Sequence, residues 1–269
     1  MSAINYPTYT LSGALTQEQQ DFFDTHGFIH FKHFIPPTLV QEIIDASAEV
    51  EARWISHDVK KINGVPIKYG KDLNGKTIVQ RFAFINQHAP LLGSFLRDDR
   101  LQSLLALVGP GARLGIDEKD GMVFNHYVNG PGSKFSQLGW HTDGLRDIFY
   151  GTRLAPMLNI GLHLSTLTPE NGGLRILPGT HKQHLFNMLF RKRYFLDHRA
   201  DPEEIAIIPS AGDLTVHDGR LWHRVAKSSV TGEASRRRVI YIPIVAGKYA
   251  PKNEHSPTLL YQRFAGIIN

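Results

Sequence analysis

From about residue 112 onward the chain is broken into short apolar runs separated by Gly, Pro and Asn, and this punctuation leaves few folds open. Met122 to Val128, Leu158 to Leu164, Gly173 to Leu177, Ile205 to Ile208, Asp213 to His217 and Arg238 to Val245 each have the length and content of a strand. Short strands with turn signals between them build a sandwich or a barrel. Upstream the texture is helical. Thr16 to Thr25 opens on an N-cap threonine, carries Phe22 and Phe23, and meets Gly27. Thr38 to about Arg53 follows Pro36-Pro37 with Leu39, Val40, Ile43, Ile44 and Ala46 on one side. Phe28 to Phe31 reads as a short strand, 56–77 as a polar loop or hairpin, and Leu101 to Val108 as a helix ended by Gly109-Pro110-Gly111. Helices first and strands later predict a mainly β core with flanking helices. A length of 269 residues suits one domain: 1–111 as mostly helical support, 112–250 as the β core and 251–269 as a tail.

Composition narrows the chemistry. There is no cysteine, so a metal here must be held by nitrogen and oxygen. No apolar run approaches the roughly 20 residues that span a bilayer. The start Met1-Ser2-Ala3-Ile4-Asn5 lacks a signal peptide's basic and apolar regions, and the expected location is cytoplasmic. A net charge of +5 fits an anionic small molecule. Arg191-Lys192-Arg193 and Arg236-Arg237-Arg238 are the densest basic clusters, without a recognition helix, zinc finger or aromatic-interleaved stripe around them. Nucleic acid and membrane are therefore not expected partners.

His141-Thr142-Asp143 follows a loop rich in Gly, Ser and Pro. On an extended segment the first and third residues share a face, with Cα atoms roughly 6–7 Å apart. Both side chains then reach one ion. Some eighty residues on, Asp213 to His223 supplies a strand, a turn at Asp218-Gly219 and a second histidine beside Trp222. Two histidines and one carboxylate on one side of a metal leave adjacent positions open for O₂ and a chelating co-substrate. His217 competes with His223 for this role but precedes the turn. Beyond it, three arginines stand at the mouth of the strand Val239 to Ile242. One pointing inward needs an acidic partner, and the far carboxylate of a dicarboxylate bound to the metal by its 2-oxo acid end meets that need.

These segments together resemble the phytanoyl-CoA dioxygenase family of iron(II)/2-oxoglutarate oxygenases over nearly the whole chain. The resemblance is carried by LTQEQQDFFDTHGFIHFKHFIPPTLVQEI, DDRLQSLLALVGPGARL, GWHTDG, ENGGLRILPGTH, AGDLTVHDGRLWHRV and RRRVIYIPI, in that order. It implies a double-stranded β-helix (jelly-roll, cupin-like) core. It implies His141, Asp143 and His223 as iron ligands, 2-oxoglutarate and O₂ as co-substrates, and ascorbate as a supporting reductant. Arg237 is implied as partner of the distal carboxylate, with Arg236 and Arg238 as alternatives. Met122 and Arg81, or its neighbour Gln80, fall where the family lines the co-substrate pocket. Two positions depart from the pattern. Asn159 and Gly161 stand where a tryptophan often sits, which places Asn159 at the co-substrate, and Val225 replaces a hydroxyl residue.

The implied reaction is oxidation of a small molecule, a natural product or an acyl-CoA-like anion, with release of succinate and CO₂. Hydroxylation is the default, desaturation and ring closure are open, and retention of Asp143 disfavours halogenation. A non-catalytic jelly-roll binding protein and a cupin-type metal enzyme without 2-oxoglutarate are the alternatives. Trp140 and Trp222 read as packing that dries the metal, His126, His163 and His181 as structural histidines. The aromatic and arginine-rich stretch from Lys182 to Pro202 reads as a lid or an oligomer contact.

Overall fold

The structure, a computed structural model, describes residues 6–133, 135–145, 147 and 153–259. Helix α1 (Gln17–His26) starts at Thr16, whose hydroxyl accepts from the Gln19 N–H while the Gln19 side chain accepts from the Thr16 N–H. It ends at Gly27, where φ is +76°. Any side chain there would strike the ring of His181, 2.4 Å from an added Cβ. Strand β1 (Phe28–Phe31) leads to α2 (Pro37–Ser56), which has proline in its first turn and buries Val40, Ile43, Ser47, Val50 and Trp54 along one stripe.

The segment expected as a loop or hairpin holds β2 (Lys61–Ile62) paired with β3 (Val65–Pro66), then β4 (Lys68–Lys71), which pairs with β5 (Thr77–Phe82). Helices α3 (Pro90–Phe95) and α4 (Asp99–Ser103) follow. Leu104–Leu107 continues α4 as a 3₁₀ turn, so the expected helix to Val108 is shorter and tighter at its end. The remaining strands are β6 (Arg113–Leu114), β7 (Val123–Tyr127), β8 (Leu138–His141), β9 (Met157–His163), β10 (Gly173–Ile176), β11 (Ile205–Ala206), β12 (Leu214–Asp218), β13 (His223–Ala226) and β14 (Arg237–Val245). A short helix, α5 (Leu185–Phe190), lies between β10 and β11.

All strand pairs are antiparallel and form two main sheets rather than a closed barrel. The larger runs β1-β12-β9-β14-β7-β5-β4 with β6 beside β14, and the smaller runs β11-β10-β13-β8. This is the cupin-like, mainly β core with flanking helices that the sequence predicts. The stretch 1–111 is not purely helical support, because β1, β4 and β5 all join the larger sheet.

The period of two decides what each face carries. Leu158, Ile160, Leu162, Leu214, Val216, Ile240, Ile242 and Ile244 enter one apolar core with Val40, Ile43, Val50 and Trp54 of α2. Burying a side chain of this kind stabilises by about 1.5–3 kcal/mol relative to exposure. The alternate residues point to the opposite face, toward the smaller sheet. Asn159 is opposite His217, Gly161 opposite Tyr241, and Arg237 opposite Tyr127. Tyr127 and Val239 of one sheet cluster there with Val225 of the other. The sheet thus has an oily back against the helices and a largely polar front, and the front holds the candidate site.

Candidate metal centre

His141 ends β8 and His223 begins β13, and the two are direct cross-strand partners. Their rings lie 4.1 Å apart, tilted at 55°. The Nδ1 of His141 is 2.8 Å from the Gly139 carbonyl, and that of His223 is 2.9 Å from the Leu221 carbonyl. A carbonyl only accepts, so each Nδ1 carries the proton and each Nε2 keeps its lone pair for a metal. Both strands use the same device, a carbonyl two residues earlier in the chain. It follows from extended backbone, where residues i and i−2 share a side.

Asp143 completes the group. Its Oδ2 is 3.4 Å from the His223 Nε2, and its Oδ1 is 4.0 Å from the His141 Nε2. One ligand atom from each of His141, Asp143 and His223 lies within 4.8 Å of the others, and all three residues are buried. Metal–donor bonds of about 2.1 Å put neighbouring donors roughly 3 Å apart, so small side-chain rotations bring all three onto one ion. Burial alone would raise the Asp143 carboxyl. The imidazoles of His217, His223 and His141 outweigh it and hold the group well below the usual carboxylate range.

Two residues of the larger sheet back this carboxylate. Asn159 donates its amide to Asp143 Oδ2, so the residue expected at the co-substrate is bound to a candidate ligand. His217 stands behind it, with its Nε2 3.9 Å from Asp143 Oδ2 and its ring 4.7 Å from that of His223. Among the described residues, neither nitrogen of His217 has a partner within hydrogen-bond distance. Burial lowers its pKa, and His223 adds to this against the opposing pull of Asp143. The alternation places His217 on the front face, and the register of β12 on β9 sets it opposite Asn159, a pairing that no sequence pattern shows.

Of the three arginines, Arg237 faces the front. It is 4% exposed, with Nη2 donating to the Ser136 carbonyl at 3.0 Å and the guanidinium 4.8 Å from the Tyr127 ring centre. Its Nε has no hydrogen-bond partner, and no carboxylate pairs with it among the described residues. Burial pulls its pKa down to about 10. Such a cation is short of one anion. Beside it is a cavity of about 20 Å³ lined by Tyr127, His163, Leu167, Val225 and Tyr241. That is room for one water-sized group. Arg236 instead pairs with Glu233 and contacts His126, and Arg238 is half-buried on the opposite side.

Arg81 also has partners, Asp120 at 2.8 Å and Asn125 at 3.1 Å. Met122 lies in the large apolar core, and Gln80 bonds Ser133 at 2.9 Å. Trp140 and Trp222 pack with Leu177 behind the two histidines, fully shielded from solvent. A surface groove of about 780 Å³ is lined by residues such as Tyr6, Phe22, Phe28, Lys182 and Arg191 and includes none of the three candidate ligands.

The chain bears likeness to known proteins at two levels. Several solved structures share its fold. EctD from S. alaskensis, with 2-oxoglutarate and 5-hydroxyectoine, has a TM-score of 0.67 at 17% identity, covering 97% of this chain and 88% of that one. SnoK, a non-heme alpha ketoglutarate dependent carbocyclase from nogalamycin biosynthesis, has a TM-score of 0.62 at 19% identity, covering 93% and 91%. HygX from Streptomyces hygroscopicus with iron bound has a TM-score of 0.59 at 18% identity, covering 86% and 87%. A comparison with curated proteins finds no match. The model of the family described as phytanoyl-CoA dioxygenase (PhyH) matches residues 23–237, a span that contains all three candidate ligands and Arg237. The chain belongs to the phytanoyl-CoA dioxygenase family, and it is a 2-oxoglutarate-dependent non-haem iron oxygenase.

Proposed function

We propose that this enzyme hydroxylates a small organic substrate, with its iron held by His141, Asp143 and His223 and the distal carboxylate of 2-oxoglutarate held by Arg237. The observation that supports this most is the convergence of three buried donors against the front face of the larger sheet, which also carries a buried guanidinium with no carboxylate paired to it among the described residues. When bound, iron(II) with the 2-oxo acid supplies the O₂-dependent oxidation that releases succinate and CO₂.

The chain's own residues set the conditions for that chemistry. His141 and His223 turn Nε2 toward the shared point because their Nδ1 atoms are engaged by carbonyls. Asp143 stays ionised through the neutral range, since its neighbouring imidazoles hold its carboxyl low. It therefore offers a charge to the ion without first losing a proton. Asn159 fixes which way that carboxylate turns. Arg237 offers a charge-assisted hydrogen bond to a carboxylate in a buried setting, where such contacts are each worth about 1.5–3 kcal/mol. Trp140 and Trp222 keep water from the back of the site. The carboxylate ligand occupies the position that a halide would need, which favours hydroxylation over halogenation.

A small-molecule substrate agrees with the neighbours, one of which is described as a carbocyclase and another as binding 5-hydroxyectoine. The test is succinate formation from 2-oxoglutarate with iron(II) and ascorbate. Wild-type protein is expected to convert 2-oxoglutarate slowly without substrate, and His141→Ala or Asp143→Ala to fall at least 100-fold. Iron binding without any succinate would point instead to a metal enzyme of another type. No iron binding at all would leave a jelly-roll binding protein.

A further inference from the structure

Beyond α5, the segment from Arg193 to Arg199 folds back along β8, the edge strand of the smaller sheet that ends in His141. Phe195 N–H donates to the Trp140 carbonyl at 2.8 Å, Trp140 N–H donates to the Asp197 carbonyl at 2.8 Å, and the Trp140 indole N–H donates to the Arg199 carbonyl at 2.9 Å. Gly139 makes this approach possible, since a Cβ there would lie 2.3 Å from the Phe195 carbonyl oxygen. The Tyr194 hydroxyl donates to the Thr142 carbonyl, between the two candidate ligands of this strand. The segment thus covers an edge that would otherwise offer free backbone groups.

Phe195 has φ +61°, a left-handed conformation that a bulky side chain disfavours and that usually falls to Gly or Asn. Phe84 shares this trait at φ +53° but is fully buried in an apolar cluster with Val65 and Ala83. Phe195 belongs to none of the apolar clusters. Its ring is instead stacked on the imidazole of His141, 4.9 Å between centres and 28° between planes, with Tyr194 edge-on at 4.6 Å. Backbone strain held in place by contact with a candidate ligand is what a functional constraint leaves behind. We propose that Phe195 is a positioning residue for the metal centre. Its ring fixes the plane of the His141 imidazole, and with it the direction of Nε2. The Nδ1 hydrogen bond to Gly139 sets the tautomer and holds one edge of the ring, and the Phe195 stack holds its plane.

The proposal rests on His141 being a ligand, and the experiment separates the two. Metal-free, full-length protein is titrated with cobalt(II) alone and followed by visible absorption and thermal melting. Phe195→Gly removes the ring and suits the backbone. It is expected to weaken cobalt binding roughly 10- to 100-fold, the range for groups that orient a ligand, to alter the absorption bands, and to leave metal-free melting as high as wild type or higher. Phe195→Tyr keeps the ring and should bind within about threefold of wild type. Phe195→Asn, which also tolerates the left-handed backbone, carries the same test should Phe195→Gly fail to fold. Wild-type affinity and bands in Phe195→Gly, or equal weakening in Phe195→Tyr, overturn the proposal. Cobalt binding unchanged in His141→Ala overturns the ligand assignment instead.

Discussion

His141 and His223 face one point because each imidazole proton is tied to its own strand's carbonyl and the strands pair at those residues. This much was legible in the sequence, since a His-X-Asp on extended backbone and a histidine after a strand and turn are local patterns. Arg237 was legible only as one of three arginines. Strand register, which a sequence does not print, turns its side chain inward. The expected consequence is specific. Arg237→Leu should raise the 2-oxoglutarate requirement by 100-fold or more with iron affinity little changed, and Arg237→Lys should fall between, because an ammonium lacks the planar fork. Equal loss of iron and 2-oxoglutarate affinity would contradict a co-substrate role. Asn159, expected at the co-substrate, is bonded to Asp143. Its contact depends on a carboxylate from the other sheet, and no local pattern reveals that.

At the scale of elements, α1 and α2 were read to within a few residues, α1 because its caps are local, Thr16 with Gln19 at one end and Gly27 at the other, whereas the short α3 and α5 were not read. The stretch 56–77, rich in Lys and Gly and read as a loop or hairpin, holds the paired β2 and β3 and then β4, while β5 lies mostly beyond it and was not read. The docking of β1 against β12 was also hidden, as it joins residues nearly two hundred positions apart. Asp213 secures that junction. Fully buried, it accepts from the His33 N–H at 2.9 Å and the Ser210 N–H at 2.8 Å, and pairs with His30 and Lys32 at 3.0 Å each. Burial works against the charge, and these donors prevail and hold the carboxyl well below its ordinary range. Asp213→Ala would strand several buried donors, at a cost of about 3–5 kcal/mol, read as a lower urea midpoint. A loss below about 1 kcal/mol would show that the junction holds without its carboxylate.

For the whole molecule, two buried histidines, His163 on the front of the larger sheet and His126 on its back, set the acid limit of stability. Burial keeps His126 and His163 neutral, with Arg236 and Arg238 adding to the effect at His126, and each pKa is pushed down to about 3. In the unfolded chain each titrates near pH 6.5. A depressed folded pKa gives stability that is complete above the unfolded value and is lost as pH falls toward the folded one. Stability should therefore decline from about pH 6.5 downward, by up to about 1.4 kcal/mol per pH unit for each histidine. Urea melts at pH 7 and pH 5 check this, and His126→Asn with His163→Gln should flatten the slope; an already flat wild type would contradict it. The fold class was legible because short strands and their turns mark the whole second half of the chain, whereas the partition into two sheets was not, since it depends on which distant strands pair. The account stands on one ion held between those sheets, and anaerobic addition of 2-oxoglutarate to iron(II)-loaded protein measures it most directly. A visible charge-transfer band should appear in the wild type, vanish in His223→Ala and require far more 2-oxoglutarate in Arg237→Leu. No band in the wild type, or an undiminished band in His223→Ala, would contradict it.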